Sequence, residues 1–277
     1  MNAVGDTLQA GQQAAALAAD PLFLCVTRVS TFWQGSALTN ASGFFFERGA
    51  RLYLVTSRHV LIDESTHHRP DRLEIELHTD AENLVLSVVF SVPLYAWGQP
   101  VWRQGCDAGG GIDVAVVELD RSRLPPGVVL RAFTPAHLCG TFSDVRAGEP
   151  LLVAGFPLGF HDTLHHLPVV RHAAMASCYG MRFGGEGYFL TDARTHRGTS
   201  GAPVVMHRAD DGHATWALPW RLLGVHSVRL DVGHRDLLRD ESLGLNCAWY
   251  ADILLTLTDA DFADVPVPAA APAAPGV

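Results

Sequence analysis

The sequence predicts an all-β fold of two small barrels, with a short helix at each end. Short apolar segments broken by Gly, Pro, Asn and Asp begin at Pro21 and continue through most of the 277 residues, a texture typical of all-β proteins. The segments fall into two successive sets of about six, separated by a Pro-Pro-Gly break at residues 125–127. Two barrels are therefore expected, and a sandwich stays open because counting strands does not separate the two architectures.

The predicted strands of the first set are residues 23–30, 43–47, 51–56, 72–77, 84–92 and 113–119. Residues 43–47 and 51–56 are joined by Arg48-Gly49-Ala50, which predicts a hairpin. The second set comprises residues 150–155, 168–179, 188–192, 203–206, 221–229 and 243–249. Residues 251–257 have the apolar spacing of a closing helix.

These segments divide the chain into four parts. They are an N-terminal helical extension (residues 1–20), a first β-barrel (21–135), a second β-barrel with the closing helix (136–262) and a Pro/Ala tail (263–277). The composition of the tail predicts disorder.

Composition and charge exclude several function classes. The net charge of −9 argues against nucleic acid as a partner. All 20 basic residues are Arg, which excludes Ser-Lys dyads and Schiff-base lysines. The five cysteines form no CxxC pair, so neither a zinc site nor a disulfide framework is expected. Without a secretory signal or an apolar run long enough to cross a bilayer, the chain is predicted to be cytoplasmic with no membrane partner.

Ser200 is the first candidate catalytic residue. It lies in the segment Arg197-Gly198-Thr199-Ser200-Gly201-Ala202-Pro203, where two glycines and a proline indicate a tight, rigid loop. If the amides of Gly198 and Ser200 point the same way, they form a pocket for a developing oxyanion.

A base and an acid are the other requirements. One apolar segment runs directly into His59, and Asp113 stands at the head of another, where a buried acid is costly without a partner. A histidine that donates one ring N–H to this acid keeps its other nitrogen free to accept a proton from Ser200. Asp107, in the 106–111 loop, is the alternative acid.

Together these segments resemble the trypsin-like (chymotrypsin-fold) serine peptidases of the bacterial type, over about residues 21–259. The matching blocks are Thr56-Ser57-Arg58-His59, Asp113-Val114-Ala115-Val116 and Gly198-Thr199-Ser200-Gly201-Ala202-Pro203. Residues 153–159 are also similar to the strand and turn that enter the second barrel of HtrA-type peptidases. The resemblance implies two six-stranded Greek-key barrels and an endopeptidase that works through an acyl-enzyme, without metal or cofactor. It also implies a catalytic triad of His59, Asp113 and Ser200.

Two departures from the family concern activation. Thr199 replaces the acidic residue that precedes the serine in digestive trypsins, and no Ile-Val-Gly-Gly N-terminus is present. The oxyanion loop is therefore either formed constitutively or ordered by an activating partner. A catalytically silent or partner-activated binding module on the same fold is the alternative to an enzyme acting on protein or peptide substrates.

Substrate preference is also predicted from the resemblance. Thr195 and His226 occupy positions similar to those that bind an acidic side chain in glutamyl endopeptidases. A hydroxyl and an imidazole suit a carboxylate, and the guanidinium of Arg194 adds charge. Cleavage after Glu, and less favourably after Asp, is the hypothesis. His161, His165 and His166 are expected to lie in a solvated loop, because no acidic or cysteine partner has the spacing of a metal site.

Overall fold

The computed structural model describes residues 19–140, 142–208, 218–230 and 243–262. Within these ranges the chain forms fifteen strands, two short α-helices and several single turns of 3-10 helix. None of the helices in these ranges is long and apolar enough to span a membrane.

The first half of the chain forms a seven-stranded antiparallel sheet in the order β5-β4-β1-β2-β3-β9-β8. Its strands are β1 (Val26–Trp33), β2 (Ser36–Arg48), β3 (Arg51–Thr56), β4 (Arg72–His78), β5 (Ser87–Pro93), β8 (Trp102–Asp107) and β9 (Gly110–Leu119). A two-stranded ribbon of β6 (Tyr95–Ala96) and β7 (Gln99–Pro100) connects β5 to β8. The predicted hairpin across Arg48-Gly49-Ala50 is confirmed by the β2–β3 pairing.

The second half forms a closed six-stranded barrel in the order β10-β11-β12-β15-β14-β13. Its strands are β10 (Pro150–Gly155), β11 (Val169–Met175), β12 (Tyr188–Ala193), β13 (Pro203–His207), β14 (Trp220–Arg229) and β15 (Leu245–Tyr250). Leu151, Val153, Phe189, Val204 and Leu223 are among the side chains that fill it, and each is at most 1 % exposed.

Helices occupy the connections. Helix α1 (Arg58–Leu61) follows β3, and α2 (Ile253–Leu257) follows β15. The 3-10 turns are Pro21–Cys25, Arg121–Arg123, Pro135–His137, Phe142–Asp144, Pro157–Gly159 and Phe183–Gly185.

One apolar cluster joins the two halves. It contains Phe44 and Val114 of the first sheet, Phe156 and Val225 of the second half, and Leu254 of α2, all buried. Burial of large apolar side chains on both sides of a contact is the main force that holds such elements together. The ends of β3, β9 and β14 therefore meet along a fixed seam, and the candidate residues lie on it.

The chymotrypsin-like two-barrel fold is confirmed, with one difference of detail. The first unit has seven main strands where six are predicted, because β8 pairs with β9 in a hairpin. The sequence of β8, Trp102–Asp107, carries Arg, Gln, Gly and Asp, and so lacks the apolar alternation that marks a strand. The closing helix is present as α2. The N-terminal helical extension and the Pro/Ala tail lie almost entirely outside the described residues, and the domain boundaries stay a prediction.

Candidate active site

His59 and Asp113 are brought together by the pairing of β3 with β9. Thr56, the last residue of β3, lies opposite Ala115, so Asp113 stands two residues beyond the end of β3. The chain turns there into α1, whose second residue is His59. Asp113 Oδ1 accepts a hydrogen bond from the backbone N–H of His59 at 2.8 Å, and Asp113 Oδ2 lies 2.7 Å from His59 Nδ1. The carboxylate thus fixes both the main chain and the ring of the histidine.

The environment of Asp113 raises the proton affinity of the ring. Burial lowers the pKa of His59, but the hydrogen bond to Asp113 and the negative charge of that carboxylate outweigh burial, so the pKa is raised above 6.5. Asp113 Oδ2 also accepts a hydrogen bond from Ser227 Oγ on β14. A carboxylate with these donors is held in one orientation and needs no further partner.

Ser200 lies in the same cleft as His59 but is hydrogen-bonded elsewhere. A cleft of about 910 Å³ is lined by His59, Gly198 and Ser200. Ser200 Oγ donates to the carbonyl oxygen of Ser227 at 3.0 Å, and no hydrogen bond joins it to His59 within the described residues. Ser227 therefore contacts two of the candidate residues, Ser200 through its carbonyl oxygen and Asp113 through its hydroxyl.

The carbonyl oxygens of Arg197 and Gly198, in the loop before Ser200, are both hydrogen-bonded. Arg197 O accepts a hydrogen bond from Leu158 N at 2.6 Å, and Gly198 O accepts one from Ser42 Oγ at 2.8 Å. The N–H groups of Gly198 and Ser200 have no acceptor within the described part of the chain. Two unused amides on a loop whose carbonyls are fixed form a potential anion-binding site.

Ser42 is a residue that the sequence analysis missed. Its side chain joins Gly198 O to Phe156 N, and its backbone N–H donates to Ser200 O at 2.9 Å. Thr56 Oγ1 in turn donates to Ser42 O at 2.8 Å. The sequence gives no signal for this role, because Ser42 precedes the apolar run Phe44–Phe46 and its partners Phe156 and Gly198 lie more than one hundred residues away.

The family model of the trypsin-like peptidase domain matches residues 41–211, which is more than half of the chain. The chain belongs to the trypsin-like peptidase domain family. This confirms the predicted resemblance to the trypsin-like peptidases. No curated protein matches the sequence.

Two solved structures are similar to this peptidase domain. The serine endoprotease of Yersinia pestis has 14 % identity and a TM-score of 0.48, with 88 % of this chain and 63 % of the other chain covered. An inactive serine-to-alanine mutant of a Mycobacterium tuberculosis H37Rv protein has 14 % identity and a TM-score of 0.43, with 87 % and 90 % covered. The peptidase domain therefore spans less than two thirds of the Yersinia chain.

The alternative acid of the peptidase domain has a different partner. Asp107 Oδ2 accepts a hydrogen bond from Arg182 Nη2 at 2.7 Å, and this ion pair links the β8–β9 turn to the second barrel. Asp113, and not Asp107, contacts His59.

The three predicted specificity residues of the peptidase domain lie close to Ser200 in sequence or in sheet register, but they do not line the cleft described above. Thr195 is buried, and its hydroxyl donates to Asn246 Oδ1. His226 is buried, and burial together with the nearby charge of His59 lowers its pKa to about 4. Within the described residues its Nδ1 has no hydrogen-bond partner, whereas its backbone N–H and C=O bond to Ala202 O and Gly201 N, each at 2.8 Å. Arg194 is exposed.

Among the described residues, no group of three or more His, Cys, Asp or Glu side chains is arranged to hold a metal ion. His166 of the predicted solvated loop instead contacts Glu76 of β4.

Gly201→Ala is expected to destabilise the domain by about 3 kcal/mol or more. Gly201 has a φ of +85°, and a Cβ there would overlap Ser42 O and Thr56 Oγ1. Gly49→Ala is the matched control, because Gly49 has a φ of +61° and no atom within 4 Å of an added Cβ. It carries the backbone strain alone, which costs about 1–2 kcal/mol. Urea unfolding measures both, and equal losses would contradict the close approach.

Proposed function

We propose that this chain hydrolyses peptide bonds through an acyl-enzyme, with Ser200 as nucleophile, His59 as general base and Asp113 as the residue that orients the base. The observation that carries the proposal is the double contact of Asp113 with His59, at 2.8 Å to the backbone and 2.7 Å to the ring. This contact assigns the ring proton to Nδ1, so that Nε2 is free to accept a proton.

The first step requires Ser200 to leave its present hydrogen bond. Rotation about its Cα–Cβ bond takes Oγ from Ser227 O towards His59 Nε2. As Oγ attacks the substrate carbonyl carbon, its proton passes to Nε2, and the carbonyl oxygen becomes an oxyanion. The free amides of Gly198 and Ser200 donate to that oxygen, a stabilisation that contributes about 100- to 1000-fold for each donor in related enzymes.

The proton taken up by His59 is then passed to the leaving group, which completes formation of the acyl-enzyme. The imidazolium of His59 protonates the leaving nitrogen, the C–N bond breaks, and the acyl group stays on Ser200 Oγ. A water molecule then gives its proton to Nε2 while its oxygen attacks the ester, and the reverse transfer releases Ser200. The negative charge of Asp113 stabilises the imidazolium in both halves, which agrees with the raised pKa of His59.

A fluorophosphonate probe tests this assignment directly. Covalent labelling of the wild-type protein at Ser200, abolished in His59→Ala, is the expected result. The hydrogen bond from Ser200 Oγ to Ser227 O favours a second candidate, a peptidase that stays inactive until a partner or substrate rearranges the site. Folded protein that remains unlabelled until substrate peptide or a partner is added would support this second candidate.

We further infer a preference for Glu at the residue before the cleaved bond. The support is a set of groups close to Ser200 along the chain and in the sheet: the imidazole of His226, the guanidinium of Arg194, and the hydroxyl of Thr195, which would first have to leave Asn246 Oδ1. With a pKa of about 4, His226 is neutral at pH 7, so it acts as a hydrogen-bond donor and not as a cation. Its buried Nδ1, which has no hydrogen-bond partner in the described part of the chain, is one polar atom that such a contact would satisfy.

Peptides that differ only in Glu or Gln at this position measure the preference. The Glu peptide is expected to have a kcat/KM about 10-fold higher, because a hydrogen bond to a charged group contributes about 1.5–3 kcal/mol. His226→Leu is expected to reduce this ratio, because it removes the imidazole donor. The fold should survive, since the backbone contacts of this residue with Ala202 and Gly201 remain. Equal or better cleavage after Arg, Leu or Ala would contradict the preference.

A further inference from the structure

The 157–168 loop, which connects β10 to β11, crosses from the second barrel to the first sheet. His166 Nδ1 lies 3.0 Å from Glu76 Oε1 on β4, a charge contact that lacks hydrogen-bond geometry. His78 Nε2, on the same strand, donates to the carbonyl oxygen of His165 at 2.7 Å. The loop also closes on itself, since Asp162 N donates to Leu167 O at 3.1 Å. It therefore contacts β4 as a compact unit.

Glu76 is held firmly enough to act as an anchor. Its side chain is only 14 % exposed. Ser87 Oγ of β5 donates to Oε1 at 3.0 Å, and Arg28 Nη2 of β1 lies 3.7 Å from Oε2. Ser87 and Arg28 thus hold the carboxylate in place, and His166 of the loop lies beside it.

The first residues of the 157–168 loop contact the Arg197–Gly198 peptide, which carries one of the two proposed oxyanion donors. Leu158 N donates to Arg197 O at 2.6 Å. In a trans peptide the C=O and N–H groups point in opposite directions, so this bond turns the N–H of Gly198 away from Leu158. A Cβ on Gly198 would lie 2.6 Å from Phe156 O, which shows how closely the two segments pack.

We propose that Glu76 and His166 are positioning residues for the oxyanion hole. By docking the 157–168 loop on β4, they keep Leu158 N on Arg197 O and so keep the Gly198 amide directed at the substrate oxygen. This inference rests on the proposed function of Ser200. If the docking is lost, the Arg197–Gly198 peptide is free to rotate, and a carbonyl oxygen in place of the amide repels the oxyanion.

The test is Glu76→Gln, which keeps the shape of the side chain and removes its charge. We expect kcat to fall by about 3- to 30-fold with KM almost unchanged, less than the 100- to 1000-fold of a lost donor. The rate of fluorophosphonate labelling is expected to fall by the same factor. His166→Gln is expected to match it, and the double variant to fall no further than either single one, because both act through one contact.

Glu74→Gln is the matched control. Glu74 is two residues away on β4, and its carboxylate pairs with Arg72 of its own strand at 3.2 Å, not with the loop. Its kinetic constants and thermal midpoint are expected to equal those of the wild type.

Three results would overturn the inference. They are wild-type kinetics in both Glu76→Gln and His166→Gln, an effect on KM alone, or a loss of activity fully explained by unfolding at the assay temperature. Ser200→Ala separates this failure from that of the proposed function. If Ser200→Ala is inactive while Glu76→Gln behaves like the wild type, only the positioning role is wrong. If Ser200→Ala retains activity, both are wrong.

Discussion

Ser200→Ala is expected to lower peptide turnover by about a millionfold, the loss seen when the nucleophile of a comparable triad is removed. The fold should survive. The hydroxyl makes a single hydrogen bond, to Ser227 O, so its loss costs about 1 kcal/mol of unfolding free energy. The measurements are hydrolysis of a fluorogenic peptide and thermal unfolding of the same preparation.

Ser91→Ala is a suitable control, because Ser91 lies exposed on β5 within the first sheet. It removes a hydroxyl without touching the cleft and is expected to retain full turnover. Residual activity of Ser200→Ala above about one part in a thousand would show that another group performs the attack.

Asp113→Asn is expected to lower kcat by about ten-thousandfold, as in related triads. An amide gives no charge to stabilise the imidazolium of His59, and its NH₂ group favours the wrong tautomer of the ring. The variant also loses the acceptor for the hydroxyl of Ser227. Measurement of kcat and KM on one peptide should place the loss mainly in kcat.

The pH dependence of kcat/KM in Asp113→Asn gives a second prediction, with a definite direction of change. The base must be neutral to accept a proton, so kcat/KM rises with pH through the pKa of His59. Because Asp113 raises that pKa above 6.5, the acidic limb of the wild type lies above pH 6.5. In Asp113→Asn, burial of the ring dominates, and the limb should move to lower pH. A limb that stays in place would mean that another group controls it.

Asp107→Asn provides the matched control for both measurements. Asp107 pairs with Arg182 and not with His59, so neither kcat nor the acidic limb is expected to change. A comparable loss in this variant would contradict the assignment of the acid.

Much of the fold was predictable where the signal is local. Strand β3 was predicted with its observed bounds, and the hairpin to β2 follows from the short connection between two apolar runs. Residues 36–42 of β2 were missed: residues 36–40 are exposed, and their sequence Ser-Ala-Leu-Thr-Asn has no alternation of polar and apolar side chains. A strand in which only one half is buried reveals only that half.

The candidate site, like the fold, was predictable only where the signal is local. His59, Asp113 and Ser200 stand out because each is a reactive residue next to an apolar run or a glycine turn. The roles of Ser42, Ser227 and Leu158 were not predictable, since each depends on a partner that the fold brings from far along the chain. For example, Ser42 and Gly198 are 156 residues apart. Single-sequence patterns carry no information on such pairs.

The hydrogen bond of Ser42 bears on when the active site forms during synthesis and folding of the chain. It belongs to the first sheet, yet it fixes the carbonyl of Gly198 in the second barrel, and His59 and Asp113 also precede that barrel along the chain. In the proposed mechanism, the half that emerges first during synthesis holds the base without the nucleophile. The later half holds a nucleophile without a base. Peptidase activity is therefore expected only when both halves have folded and docked, and the nascent chain and its neighbours are protected from premature cleavage.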